Sequence, residues 1–285
     1  MKVLYASDGG RPAIDALALF QLLAAPDKAE VTAVTVVGAG TADVAEDVTS
    51  STDADVLDSA VKSLQEAGFA AEKRVLKGQP GRAILNEIDA GGYELVVVGA
   101  GNRSRLGRRL MGSVSTKLLH ASPVSVMIVR RLLDVGSEMS VLVGADGSEH
   151  ADRALEQLIA LFDPSSCRVH VLAVAEHLMP QLSFPIPRAG YATSAPTPEQ
   201  EQEWTAAAQS SATTAAKKLE SAGFRTEAHA VLGAPAARVL DEADRVHADL
   251  VVVGSRGLAA VDTASLGSVS DQIVREAPAT FVGRR

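Results

Sequence analysis

The sequence predicts an α/β protein made of two tandem copies of one parallel-sheet module. Three observations lead there. LVVVGAGN at Leu95–Asn102 returns as LVVVGSRG at Leu250–Gly257, and GSVS at Gly112–Ser115 returns at Gly267–Ser270, both displaced by 155 residues. Two motifs that keep their mutual spacing mark a duplicated unit, and a chain of 285 residues has room for two domains. Within each copy, short apolar runs alternate with segments of helical periodicity, the pattern of β–α units joined by right-handed crossovers. Finally, Leu95–Val98 and Leu250–Val253 are apolar at every position, as strands of a parallel sheet covered on both faces are.

The elements follow in order. Val3–Ala6 is a short strand that stops at the turn signal Asp8-Gly9-Gly10. Pro12 suits the first turn of a helix, where its missing N–H does no harm. Ala13–Ala25 then places Ile14, Leu17, Phe20 and Leu22 at helical spacing. Val31–Val37 is rich in β-branched residues and reads as a buried strand, and the small polar stretch 38–55 reads as irregular. Val56–Glu66 is a helix stopped by Gly68, and Phe69–Leu76 is a strand. Arg82–Ala90 is a helix ended by Gly91-Gly92, and Leu95–Val98 is a strand. Ser113–Leu119 is a helix that Pro123 separates from the last strand, Val124–Val129.

The second copy repeats this plan. Ser140–Ser148 (SVLVGADGS) matches Lys2–Gly10 (KVLYASDGG) 138 residues on, whereas Gly223-Phe224 and Gly233-x-Pro235 match Gly68-Phe69 and Gly78-x-Pro80 at 155. The extra length falls in Leu178–Glu203, whose five prolines predict a loop, read as a solvated insertion in preference to a flap over a site. The expected domains are 1–131 and 139–285, joined by a linker at 132–138.

Composition narrows the functional classes. The chain is 47% hydrophobic and 22% charged with a net charge of −8, which suits a globular protein and argues against broad nucleic-acid binding. Cys167 is the only cysteine, so no intramolecular disulfide forms, and it reads as a small buried thiol in a reducing setting. The N-terminal apolar run is too short for a signal-peptide core, and no stretch reaches the ~18 apolar residues that span a bilayer. The expected location is the cytoplasm, without membrane partners.

The chemistry concentrates at strand ends. Asp8, Gly99, Asp146 and Gly254 end strands, where crevices of open parallel sheets form. Gly254-Ser-Arg-Gly257 follows a strand, and Gly267-Ser268 opens a helix nine residues later. Glycine lets backbone approach a phosphate, and helix N-terminal N–H groups favour anions. Hydroxyls at Ser268 and Ser270 add donors. Competing motifs fail. Gly78-Gln-Pro-Gly81-Arg82 lacks the Lys-Ser/Thr of a P-loop. Gly99-Ala-Gly101 has Ser104 in place of the third glycine of a dinucleotide fingerprint, with no acidic residue about 20 positions on. His120, His150, His170, His177, His229 and His247 show no metal-site spacing, and there is no G-x-S-x-G nucleophile turn.

The spacing G-x-x-G, nine residues, G-S resembles the ATP-binding signature of the universal stress protein family. The strand ending in Asp146-Gly147-Ser148, the G-x-P motifs and the VVVG strands resemble that family too, and the likeness covers nearly the whole chain as two modules. The resemblance implies a Rossmann-like, adenine nucleotide alpha hydrolase-like fold: two tandem five-stranded parallel open sheets sandwiched by helices. It also implies ATP as ligand, with Mg²⁺ as a possible companion. Asp146 would bond the adenosine end and Val174 would meet the base through its backbone. Gly254 and Gly257, after Val253, would cradle ribose and phosphate, while Gly267, Ser268, Val269 and Ser270 would hold the outer phosphates. The matching positions in the first copy are Asp8, Val36, Val98, Gly99, Asn102, Gly112, Ser113, Val114 and Ser115.

Asn102 departs from the family's glycine, although asparagine tolerates the left-handed backbone better than other side chains. The first copy's loop also carries Arg103, Arg105, Arg108 and Arg109, which suit either a triphosphate or a solvated surface, whereas the second copy's loop has Asp262 instead. The resemblance further implies that Val124–Val129 and Thr280–Val282 meet edge to edge in an intramolecular pseudo-dimer, with whole chains free to pair as homodimers. The expected function is a nucleotide-dependent stress sensor or regulator without efficient catalysis. A slow ATP-hydrolysing enzyme using Asp8 or Asp146, and a nucleotide-free protein-interaction scaffold whose glycines serve only turns and packing, remain the alternatives.

Overall fold

The computed structural model of the chain describes residues 1–38, 51–101, 111–132, 138–176, 197–257 and 266–284, with the backbone alone for 51–54. The first module runs β1 (Lys2–Ala6), α1 (Arg11–Leu23), β2 (Glu30–Val37), α2 (Ser51–Glu66), β3 (Ala70–Lys77), α3 (Pro80–Gly91), β4 (Leu95–Gly99), α4 (Ser113–Ala121) and β5 (Ser125–Val129). The second runs β6 (Met139–Gly144), α5 (Glu149–Leu161), β7 (Cys167–Ala175), α6 (Pro198–Ser221), β8 (Arg225–Leu232), α7 (Pro235–Arg245), β9 (Leu250–Gly254), α8 (Ser268–Glu276) and β10 (Ala279–Gly283). Among the described residues no helix is long and apolar enough to cross a membrane.

Several boundaries differ from the sequence reading. Helix α6 begins at Pro198, so 198–203 is helix and not the end of a loop. The Thr197 side chain and Gln200 form a reciprocal capping box with proline in the first turn, a strong start signal that the run of prolines obscured. The remainder of the expected loop, 178–196, lies outside the described residues. Helix α2 starts at Ser51, five residues before Val56, and α1 starts at Arg11 and ends at Leu23.

All strands join one ten-stranded sheet in the order β3-β2-β1-β4-β5-β10-β9-β6-β7-β8. Among the described residues, strand pairing within each module is parallel and the pairing of β5 with β10 is antiparallel, with Met127 opposite Phe281 and Ile128 opposite Thr280. The expected edge-to-edge meeting of the last strands is therefore present. Successive strand residues face opposite sides: Val3 and Tyr5 join the core under α1, α2, α5 and α6, while Leu4 and Ala6 join the core under α3, α4, α7 and α8. The first of these cores runs unbroken across both modules, through Met127 and Phe281 at the junction.

The junction is reciprocal. Ala25 N–H donates to Leu161 O at 2.9 Å, and Asp163 N–H donates to Leu23 O at 2.8 Å, each a swap between positions 138 apart. Arg130 reaches from the first module to the Val274 carbonyl in the last turn of α8, at 3.0 Å from Nε and 2.7 Å from Nη2. Arg284 returns the contact from the second module to the Leu119 carbonyl in the last turn of α4. Each guanidinium sits where the helix dipole favours a cation and where carbonyls lack helical partners.

Candidate functional site

Each module has strand order 3-2-1-4-5, with its switch point between β1 and β4 or between β6 and β9. Because β5 and β10 run antiparallel, the carboxyl ends of the two modules' strands lie on opposite rims of the sheet. The two candidate crevices therefore open in opposite directions.

In the second module the turn after β6 carries Asp146. Its Oδ1 accepts the Ser148 N–H at 2.9 Å, and Gly147, at φ 77°, supplies the left-handed backbone that folds the turn under the carboxylate. Ser148 is buried and joins two loops. Its Oγ accepts the Ala151 N–H at 3.2 Å, capping α5, and donates to Arg256 O at 3.2 Å, in the loop after β9. Across the switch point stands Gly257. A Cβ on Gly257 would lie 2.7 Å from Asp146 Oδ2, so the carboxylate faces bare backbone. The loop is closed at its far end by the Gly267 N–H, which donates to Ser255 O at 2.9 Å. Gly267 then N-caps α8 and, being glycine, supplies no side-chain cap to the helix's first N–H groups at its positive end.

The sequence-predicted residues divide by what they touch. Asp146, Gly257 and Gly267 come together around the crevice, and Ser268 is exposed beside them. Val174 and Val36 lie two residues beyond the ends of the pairing of β7 with β6 and of β2 with β1. There the backbone edge toward the switch point has left its strand neighbour. Ser270 points inward: it is buried, and its hydroxyl donates to Gly254 O at 2.7 Å. Gly254 faces helix α5, where a Cβ would lie 2.6 Å from Ala151 N. Val253 and Val98 are buried, and Val269 and Val114 pack against the same core.

The first module repeats this with differences. Asp8 is exposed, and its Oδ1 accepts the Gly10 N–H at 2.9 Å. Gly10 stands where the second module has Ser148, so α1 begins without a side-chain cap. Gly99 sits under α1, where a Cβ would be 2.4 Å from Ala13 N, and Gly112 lies against the Gly101 carbonyl. Ser113 is exposed, whereas Ser115 is buried and donates to Gly112 O at 3.0 Å. Asn102, the four loop arginines, His177 and Asp262 lie outside the described residues.

Other groups weighed in the sequence have structural surroundings. Cys167 is fully buried, and burial pushes its thiol up to about 11, so it is inert near neutral pH. His170 is buried on β7 with its Nδ1 3.7 Å from Glu227, and desolvation holds its pKa below the ordinary value. Among the described residues no cluster of three His, Cys, Asp or Glu could hold a metal ion. Sequence reasoning missed Ser148 as the bridge between the Asp146 turn and the Gly257 loop. It also missed His150, whose Nδ1 lies 3.1 Å from Ser255 Oγ. The start signal was present in Ser148 followed by Glu149, but the contact with Arg256 depends on the sheet order.

These features define a tandem doubly wound α/β protein with a glycine-rich loop at each switch point. A model of the universal stress protein family matches residues 1–130 and 139–282, and the chain belongs to that family. A universal stress protein of Mycolicibacterium smegmatis is 32% identical over 212 residues, covering 74% of this chain and 67% of the relative. One of Thermus aquaticus is 32% identical over 139 residues, which is 49% of this chain but 93% of that protein, the length of a single module. The crystal structure of a universal stress protein from Archaeoglobus fulgidus shares the fold across 100% of this chain and 96% of its own, with a TM-score of 0.65 at 22% identity.

Proposed function

We propose that the chain binds ATP in the crevice of its second module and acts as a nucleotide-dependent stress sensor or regulator without efficient catalysis, with residues 1–131 and 139–285 as its two domains. The observation that carries this reading is the Asp146 carboxylate set against bare backbone at Gly257, where an added Cβ would clash, beside the start of α8, whose N-cap glycine has no side chain. Asp146 would bond the adenosine end, the Val174 backbone would meet the base, and Gly257 would admit ribose and phosphate. The N–H groups of Ser268, Val269 and Ser270, with the exposed Ser268 hydroxyl, would hold the outer phosphates, an arrangement suited to anions at a helix N-terminus. Ser270 contributes by fixing the Gly254 carbonyl rather than by reaching the nucleotide with its hydroxyl. Mg²⁺ would arrive with the nucleotide. The first module offers Asp8, Val36, Gly99, Gly112 and Ser113 at the matching sequence positions. Membership of the family supports the reading.

One observation favours the scaffold alternative. Gly99 and Gly254 are each explained by a helix passing over them, which needs no ligand. Calorimetric titration of nucleotide-free chain with ATP and Mg²⁺ separates the two. The proposal expects one or two nucleotides per chain, and Gly257→Val should weaken binding at least tenfold while the protein stays folded. Folded chain that takes up no ATP would overturn the proposal in favour of the scaffold.

A further inference from the structure

Trp204 is the only tryptophan of the chain, and it stands outside the packed core. The buried positions of α6 begin at Ala212, and no residue from Pro198 to Ser211 is fully buried. Around Trp204 this half of the helix is polar or small, with PEQEQE before it and TAAAQSS after it. The indole is half-buried in that setting. A large ring that adds nothing to a core suits a binding surface, since tryptophan joins an apolar body to a polar N–H.

Two contacts of α6 fix where Trp204 stands. Thr205, Ala206 and Gln209 line an open groove with Leu232, the last residue of β8, and Leu232 pairs with Ala175 at the end of β7. Trp204 is therefore level with the carboxyl end of β7, beside Val174 in height. Ser211, further down the helix, lies 3.3 Å from the place of a Cβ on Gly147, against the Asp146 turn. Seven residues make almost two full turns, so Trp204 lies within about 20° of the Ser211 side of α6 and about 10 Å nearer the rim. Thr205 and Gln209 lie roughly 100–140° round from it. Trp204 thus falls between the side of α6 that meets the Asp146 turn and the side that meets β8. Helical side chains lean toward the N-terminus, which in α6 lies at the rim formed by the carboxyl ends of the strands.

We infer that Trp204 is the base-recognition residue of the second module's crevice, with its indole stacking on the face of the nucleotide's adenine ring. This rests on the nucleotide reading above and deepens it. The Val174 backbone meets the edge of the base, the indole covers its face, and the glycine loop with the start of α8 holds the phosphates. An aromatic platform binds any base through its π-face and gives nothing to a bare phosphate chain. Trp204 therefore sets the preference of the site for nucleotides over inorganic polyphosphate.

With no second tryptophan, the indole emission of the full chain reports on Trp204 alone. ATP with Mg²⁺ and inorganic tripolyphosphate are each titrated into it and followed by calorimetry and by fluorescence. The inference expects ATP to change the emission saturably, with the affinity of a calorimetric site, and tripolyphosphate to leave it unchanged. Trp204→Ala should weaken ATP binding roughly fivefold or more, the low end of what a base–aromatic stack contributes, and leave the response to tripolyphosphate as it was. Trp204→Phe, which keeps a ring, should recover most of the loss. If the alanine variant fails to fold, Trp204→Leu takes its place. ATP bound by calorimetry with emission unmoved, undiminished ATP affinity without the ring, or equal weakening of both ligands overturns the inference and leaves ATP binding standing. Folded chain that takes up no ATP overturns both.

Discussion

The first and second modules lay one backbone plan around different side chains. Tyr5 spans from β1 to the Ala13 carbonyl, whereas its counterpart Val143 carries no polar group to reach the matching Ala151. Gly10 begins α1 without a cap, where Ser148 caps α5 and reaches across to the opposite loop. Thr32, bonded to Glu72 at 3.2 Å, stands where the second module has His170 beside Glu227. In contrast, Gly99 and Gly254 keep the same role, each lying against the start of a helix. What persists is what holds strand against helix, and what varies is what lines the crevice, the core beneath it and the titrating surface. Each difference thus isolates the effect of one side chain in a common setting.

The comparison can be broken or sharpened in order of effect. Tyr5→Ala removes a buried ring and its hydrogen bond and should cost ~3–5 kcal/mol in urea unfolding. A cost under ~1 kcal/mol would mean that the first module does not depend on that filling. Next, Gly254→Val forces a side chain into the backbone of α5 and should cost about 1–3 kcal/mol or more, unlike Gly257→Val, whose added carbon meets only a carboxylate. Equal melting temperatures for the two variants would refute the division between packing and crevice glycines. Ser148→Ala should cost ~1 kcal/mol through the lost cap, and amide exchange should quicken in the first turn of α5 while α1 is unchanged. The smallest effect is a pH dependence. His170 has a folded pKa below its ordinary 6.5, so the unfolded chain takes up the proton first. Its stability contribution is complete above about 6.5 and is lost as pH falls from there toward the folded value. His170→Thr, which restores the first module's residue, should flatten unfolding stability between pH 7 and 5 relative to the parent, and an unaltered slope would count against this.

Much of this architecture was legible because the repeat is written in contiguous residues. The two LVVVG strands, the GSVS helix starts and the Asp-Gly turns are each local, and their offsets laid out the module plan, whereas the meeting of β5 with β10 was implied only by the family resemblance. Helix starts were less legible. The composition of 38–55 and of 178–203 hid the beginnings of α2 and α6, although Thr197 and Gln200 spell a capping box. Ser115 and Ser270 show a different limit: their spacing suggests phosphate contacts, but the helix turns both hydroxyls inward onto backbone carbonyls.

The antiparallel seam between β5 and β10 carries one more implication. Two identical chains meeting along such an edge would carry every substitution twice, on both sides of the axis at once. In a single polypeptide the two sides are separately encoded and always present in equal number, however dilute the protein. One half can then anchor a phenol to its first helix while the other packs a valine at the same place, a division that a symmetric pair of identical subunits has no means to hold.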